Sequence, residues 1–347
     1  MHVLPPYRRL LLLTEGRLGI FSSKTAAVLL RYRPEDVAAV VDSRAAGTDV
    51  RSIIPWAPAV PIVPDVAAGA ALRPDGLVIG VAPPGGALPP DMRVQVVAAL
   101  RGGLDVLSGL HVFLADDGEL RDLAKQSGAR LFDLRRPPAE RVLATGRART
   151  TRCRRILTVG TDGNVGKMVA ALELTNVARQ HGLDARFVAT GQTGIMVAGR
   201  GIALDAVVAD FAPGAAEELV LDAGDSDVCF VEGQGSLAHP GFSAVTLALL
   251  HGVCPDALIL VHCVGRTRFH APPHGPIPPL RELRAAYEQV AALLHPARVV
   301  GVALNAAGAD ERSAAAAARA IAQDLRLPVV DPVRFGCEAL LEVAMRS

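Results

Sequence analysis

At 347 residues the chain exceeds one ordinary domain and predicts two of about 150 residues each. Half of it is apolar and only 4% aromatic, which suits α/β layers packed through small side chains. The 36 Lys plus Arg against 35 Asp plus Glu leave a net charge of +1, which excludes a global field suited to nucleic acid or a membrane surface. The five cysteines are odd in number and form no C-x-x-C pair, so reduced thiols are expected. No apolar run reaches the ~18 residues of a membrane span. The amino terminus lacks a signal-peptide layout, and a cytoplasmic protein is expected.

The first domain, residues 1–136, opens with the apolar run Leu10-Leu-Leu-Leu-Thr14, which reads as a buried parallel strand. Glu15-Gly-Arg-Leu-Gly19, a helix near Ser22–Arg33 and the strand Val37–Asp42 follow. Strand, glycine turn, helix, strand and acid open a Rossmann-type unit. Its glycines spell only G-x-x-G, however, so a Rossmann-like layer without a dinucleotide is favoured. Further strands are predicted at Val60–Val63, Gly76–Gly80, Leu104–Leu107 and Arg130–Leu134, with helices near Met92–Leu100 and Gly118–Gln126. Ligands in open parallel sheets sit beyond the carboxyl ends of the strands. Gly85 and Gly86, in Ala82-Pro-Pro-Gly-Gly86, could there approach an anionic or acyl group through bare backbone, and His111 could act as acid or base. The competing reading of His111 is structural.

Residues 137–155 form a basic linker after Pro137-Pro138. Its arginines would either meet an anionic substrate or pair with acids on either domain.

The second domain, residues 156–347, begins with the strand Ile156–Val159 and the loop Gly160-Thr-Asp-Gly-Asn-Val-Gly-Lys-Met168, followed by a helix to Arg179. Strand, glycine-rich turn and helix make a phosphate site, with Gly160, Thr161, Asp162, Gly163, Asn164, Val165, Gly166, Lys167 and Met168 as its members. Only Lys24, Lys125 and Lys167 are lysines, so a Lys in this loop points to a need for a compact ammonium. Met168 and Val169 stand where a Mg²⁺-binding hydroxyl would fall.

Beyond the strand Ala185–Ala189, the segment Thr190-Gly-Gln-Thr-Gly194 offers Gly191, Gln192 and Thr193 to a substrate. Glu232 ends the strand Val228–Glu232 beside the phosphate loop, placed to hold Mg²⁺ with Asp205 or Asp210 or to act as a base. After the strand Ala257–His262, Arg266 is a candidate substrate contact. His270 and His274 lie in a Pro-rich loop that forbids the helix needed to bring them onto one metal. The strand Val299–Asn305 ends in an Asn placed to read a purine edge. A helix over Arg312–Leu325, the strand Val329–Val330 and a helix over Cys337–Met345 complete the layer.

The loop Gly-Thr-Asp-x-x-Val-Gly-Lys resembles that of dethiobiotin synthetase. Together with Thr190–Gly194, Val231-Glu-Gly-Gln-Gly-Ser-Leu237, His239-Pro240, Asp331-Pro-Val-Arg-Phe-Gly336 and Ser108-Gly-Leu-His111, it is similar to the D-glutamate N-acetyltransferase-like family. The resemblance implies a Rossmann-like amino-terminal domain joined to a P-loop NTPase-like parallel-sheet domain. It also implies transfer of acetyl from acetyl-CoA to the amine of a small amino acid such as D-glutamate. Glu232, His239 and His111 are then the candidate bases, since the attacking amine must be deprotonated. The alternative is an ATP-dependent ligase or kinase that activates a carboxylate as its acyl phosphate, with Mg²⁺. A third reading is a nucleotide-binding regulator without chemistry. The expected partners are small molecules, and self-association stays open.

Overall fold

The computed structural model describes Met1–Arg346. These residues divide into two compact units. One is Met1–Pro137 together with Ile195–Ala203; the other is Pro138–Gly194 together with the chain from Leu204 onward.

The first unit holds β1 (His2–Val3), β2 (Leu10–Leu13), β3 (Val37–Val41), β4 (Ile62–Val63), β5 (Gly76–Ile79), β6 (Asp105–Ser108) and β7 (Leu131–Asp133). Six of them form one sheet in the order β4-β3-β2-β5-β6-β7, parallel at every pairing. Counted from β2 as the first strand, that is 3-2-1-4-5-6, the Rossmann order. The four consecutive leucines of β2 are all buried, because a central parallel strand is covered on both faces. Each such side chain contributes roughly 1.5–3 kcal/mol of burial. Helices Lys24–Tyr32, Pro90–Arg101 and Gly118–Ser127 cover the faces. The last is capped by Asp117, whose carboxylate accepts from Leu120 N at 3.2 Å.

A feature with no sequence signal completes this unit. β1 pairs antiparallel with Arg200–Gly201. Leu4 N donates to Gly199 O at 2.7 Å, and Arg33 Nη1 donates to Met196 O at 2.9 Å.

The second unit holds β8 (Arg154–Gly160), β9 (Ala185–Val188), β11 (Val228–Val231), β12 (Ala257–Cys263), β13 (Arg298–Asn305) and β14 (Val329–Val330); the intervening β10 is the Arg200–Gly201 strand of the first unit. Their order is β14-β13-β12-β8-β11-β9, again fully parallel. β8 therefore runs through the middle and delivers the phosphate loop between β11 and β12. Ile156, Phe230 and Ile259 of three adjacent strands pack with Leu174 and Leu340 of flanking helices in one core.

Two arginines of the basic linker pair with acids. Arg147 reaches Glu218 at 2.5 Å and Glu217 at 3.6 Å, and buried Arg155 reaches Asp256 at 2.6 Å. Pairing with acids, the second of the two sequence readings, describes these arginines.

Candidate functional site

β8 ends at Gly160, and the loop closes on Gly166, whose φ of 109° suits only glycine. The helix Lys167–Gln180 starts there without a side-chain cap, so its first-turn N–H groups face the hollow of the loop. Around Gly163 the space is open: a Cβ built there meets nothing within 4 Å. Lys167 is buried and folds back over the loop, its Nζ donating to Asp162 O at 2.8 Å. These groups could hold a phosphate.

The rest of the loop is held from outside. Asp162 is fully buried, and its carboxylate accepts from Gly163 N at 2.7 Å, His270 N at 2.8 Å and Arg266 Nη1 at 3.3 Å. Arg266 Nη1 also donates to Gly163 O at 2.9 Å, which places a guanidinium on the rim of the cradle. Thr161 Oγ1 lies 3.0 Å from His262 Nδ1. Burial, then the charge of Arg266, push the His262 imidazolium down to a pKa of about 4, so the ring is neutral beside the loop. Asn305 Nδ2 donates to Val165 O at 3.0 Å, and its Oδ1 accepts from Ala307 N at 3.1 Å. Both ends of that amide face the protein, so it braces the loop where a purine contact was expected.

Glu232 follows β11 directly. It is buried, and its Oε2 accepts from Thr190 N at 3.0 Å and Gly191 N at 3.1 Å. Thr190 Oγ1 returns a bond to Glu232 O at 2.7 Å, so the segment after β9 fixes this carboxylate. A Cβ at Gly194 would sit 2.3 Å from Glu232 Oε2. Gln192 to Ala198 is helical, so Gln192 and Thr193 open a helix where the sequence read a strand-end loop. The chain leaves Glu232 through Gly233, whose N donates to Thr158 Oγ1 at 2.9 Å.

His239 is buried, with Nδ1 accepting from Gly241 N at 3.1 Å and Nε2 3.5 Å from Ala271 O. Its ring stacks on Phe242 at 4.3 Å and meets Phe269 edge-on at 5.0 Å. Both nitrogens thus face backbone groups and one ring face is stacked, which suits a positioning residue better than a base. His111 is exposed in the first unit, at the mouth of a cavity also lined by Gly85 and Gly86.

The expected Mg²⁺ set does not assemble. Asp205 and Asp210 are exposed on short 3₁₀ turns, and among the described residues no group of three His, Cys, Asp or Glu could hold a metal. Met168 is buried apolar bulk, and the Asp162 carboxylate is engaged by three donors. Lys167 and Arg266 could hold an anion at this loop, whereas the described residues offer no carboxylate set for a protein-held Mg²⁺.

Sequence reasoning missed Tyr287. This fully buried phenol donates to Gly160 O at 2.7 Å and accepts from Leu237 N at 3.2 Å, so it ties the loop's first residue to the segment after Glu232. Tyr287→Phe is expected to cost about 1–3 kcal/mol, since a buried carbonyl and a partly buried N–H both lose their partner. Urea unfolding measures this, and an unchanged midpoint would contradict the bridge. Thr158 was missed too, although a lone hydroxyl in an apolar strand must find partners.

Residues 142–341 match the family described as Domain of unknown function (DUF1611_C) P-loop domain, and residues 43–137 match its DUF1611_N Rossmann-like domain. A protein of Tritonibacter scottomollicae named D-glutamate N-acetyltransferase is 41% identical over 267 residues, 77% of this chain and 80% of its own. One of the same name from a Pseudoalteromonas species is 37% identical over 76% of this chain and 79% of its own. The crystal structure of a DUF1611 family protein from Anabaena variabilis superposes with a TM-score of 0.92 at 43% identity, over 98% of this chain and all of that one. With its Rossmann-order sheet followed by a phosphate-loop sheet, the chain belongs to the DUF1611 family.

Proposed function

We propose that this protein is an N-acetyltransferase that moves the acetyl group of acetyl-CoA to the amine of a small amino acid, D-glutamate being the acceptor its relatives are named for. The likeness to those relatives over about three quarters of the chain carries the reading. The phosphate loop supports it from below. Coenzyme A presents a diphosphate without an obligatory metal, and Lys167 with Arg266 offers the matching charge.

In the transfer, the amine nitrogen attacks the thioester carbonyl, a C–N bond forms and the C–S bond breaks. The amine proton goes to a base, and the thiolate leaves with a proton from solvent or from that base. Glu232 suits the role of base, because Thr190 and Gly191 hold its carboxylate in one orientation. Glu232→Gln is expected to lower turnover by roughly 10²-fold or more with little change in the affinity for coenzyme A. Gly194→Ala is expected to act in the same direction, because its Cβ would displace the Glu232 carboxylate. If turnover in both variants matches the wild type, Glu232 is not the base.

The reading itself is tested by mixing the protein with acetyl-CoA and D-glutamate and following free thiol. Thiol release that depends on the amino acid and needs no ATP is the expected result. ADP formation that depends on a carboxylate substrate, with no thiol from any acyl-CoA, would establish the ligase instead.

A further inference from the structure

The first unit has the strand order of a dinucleotide-binding fold, yet the place for a dinucleotide is filled by the protein's own groups. In that fold the acid ending the second strand takes ribose hydroxyls, and a bare glycine turn takes the diphosphate. The acid here is Asp42, which is buried. Its carboxylate accepts from Thr14 Oγ1 at 2.9 Å, Arg44 N at 3.1 Å, and Leu18 N and Ala45 N at 3.3 Å each. The turn is covered as well, since a Cβ on Gly16 would meet Arg44 Nε at 2.7 Å.

A cavity of about 410 Å³ opens instead over the carboxyl ends of β5, β6 and β7. That volume lies within the ~300–1,000 Å³ of small-molecule sites. Gly85 and Gly86 line it after β5, Gly109 and His111 after β6, and Arg135 after β7. Arg135 is only 8% exposed, although it sits in a stretch rich in arginine. Its Nε donates to Gly109 O at 2.9 Å, which fixes the plane of the guanidinium at the cavity wall. We propose that this cavity is a binding site for a small carboxylate-bearing molecule, with Arg135 as its anion-binding group.

The chemistry of the walls selects a carboxylate over a phosphate. A planar guanidinium held in one orientation matches a planar two-oxygen anion. A phosphate prefers a run of backbone N–H donors, and in this wall Pro83 has none, while Gly86 N, Leu110 N and His111 N already donate to Pro83 O, Ser108 Oγ and Gly86 O. Pro83 and Leu110 give an aliphatic surface for the body of the ligand, and His111 N and Val112 N both donate to Gly86 O at 3.0 Å, which holds the two loops together.

The test is titration calorimetry on the full-length protein with D-glutamate as probe, run with and without saturating coenzyme A, with inorganic phosphate as competitor. The proposal rests on the acyl-transfer reading only for that choice of probe. Two variants are compared with the wild type. Gly85→Asn adds bulk to a residue that lines the cavity, at a φ of 77° that Asn tolerates and where a Cβ meets nothing within 4 Å, so it displaces no protein. Arg135→Leu removes the charge, and if it folds poorly Gly85→Asn carries the test alone. The expected result is tenfold or greater loss of D-glutamate affinity in each folded variant, unchanged affinity for coenzyme A, and no displacement by phosphate. No D-glutamate binding by the wild type, unchanged affinity in the variants, or full displacement by phosphate would each overturn the site. Affinity for D-glutamate that falls in Gly85→Asn, in a protein that releases no thiol from acetyl-CoA, supports the site and sinks the acyl-transfer reading alone.

Discussion

Lys167→Ala should lose affinity for coenzyme A by a factor on the order of 30 to 1,000, the equivalent of roughly 2–4 kcal/mol. The ammonium sits buried inside the loop and touches Asp162 O, so it meets an incoming diphosphate in a site that is already largely desolvated. A charge-assisted contact in such surroundings is stronger than the same contact in water. Folding should survive, because the aliphatic stem of Lys167 covers Gly160 and contributes little to the hydrophobic core. Lys167→Arg should not restore binding, since a planar fork cannot occupy a space shaped for a compact ammonium. The same titration with ATP, with and without Mg²⁺, separates the two phosphate ligands. If the affinities for coenzyme A and for nucleotide are both unchanged in Lys167→Ala, the phosphate-site assignment fails.

The second large effect concerns acid. His262 has an ordinary pKa of 6.5 that the folded protein lowers to about 4. Above pH 6.5 the ring is neutral in the folded and the unfolded chain and contributes nothing to the pH dependence. As pH falls from 6.5 toward 4, the unfolded chain takes up a proton that the folded chain refuses, and stability is lost. Below about 4 the folded ring is protonated as well, and the loss levels off. At 1.36 kcal/mol per unit, the total is on the order of 3 kcal/mol. His262→Asn keeps an oxygen that can accept from Thr161 and removes the titration. Unfolding measured from pH 7 to pH 4 should therefore fall more steeply for the wild type than for His262→Asn. Parallel curves would mean that His262 exchanges its proton as freely in the fold as outside it.

The parts of this structure that were legible in the sequence share a physical cause. Apolar runs such as Leu10–Leu13 and Ile156–Val159, short and followed by glycine turns, read as strands covered on both faces, and the glycine-rich turn ahead of a helix reads as a phosphate loop. Local chemistry therefore announced both sheets and the phosphate loop. Glu232 was legible because an acid directly after a buried strand leaves few places to go. What escaped was long-range. Tyr287 reads as one more aromatic on an amphipathic helix, and nothing nearby says that its hydroxyl spans 127 residues to Gly160 O. Asn305 looked outward because its partner Val165 is 140 residues away. Asp205 and Asp210 carried the right chemistry, but their turns leave them exposed and apart from any three-residue cluster among the described residues. The arginines around residue 147 matched two readings equally, and only the positions of Glu217 and Glu218 decide between them.

The antiparallel pairing of His2–Val3 with Arg200–Gly201 bears on how the chain is made. A ribosome releases the first unit's main sheet by residue 133 but withholds its closing segment until residue 203 has emerged. Before then, Arg33 lacks the carbonyl of Met196 and the strand at His2 has no edge to join. Domains otherwise tend to mature in order of synthesis. Here the earlier unit must wait until the phosphate loop has also been translated. A fragment ending at Pro137 should accordingly be less resistant to proteolysis than the same unit supplied with residues 195–203, whether on one chain through a short linker or as an added peptide.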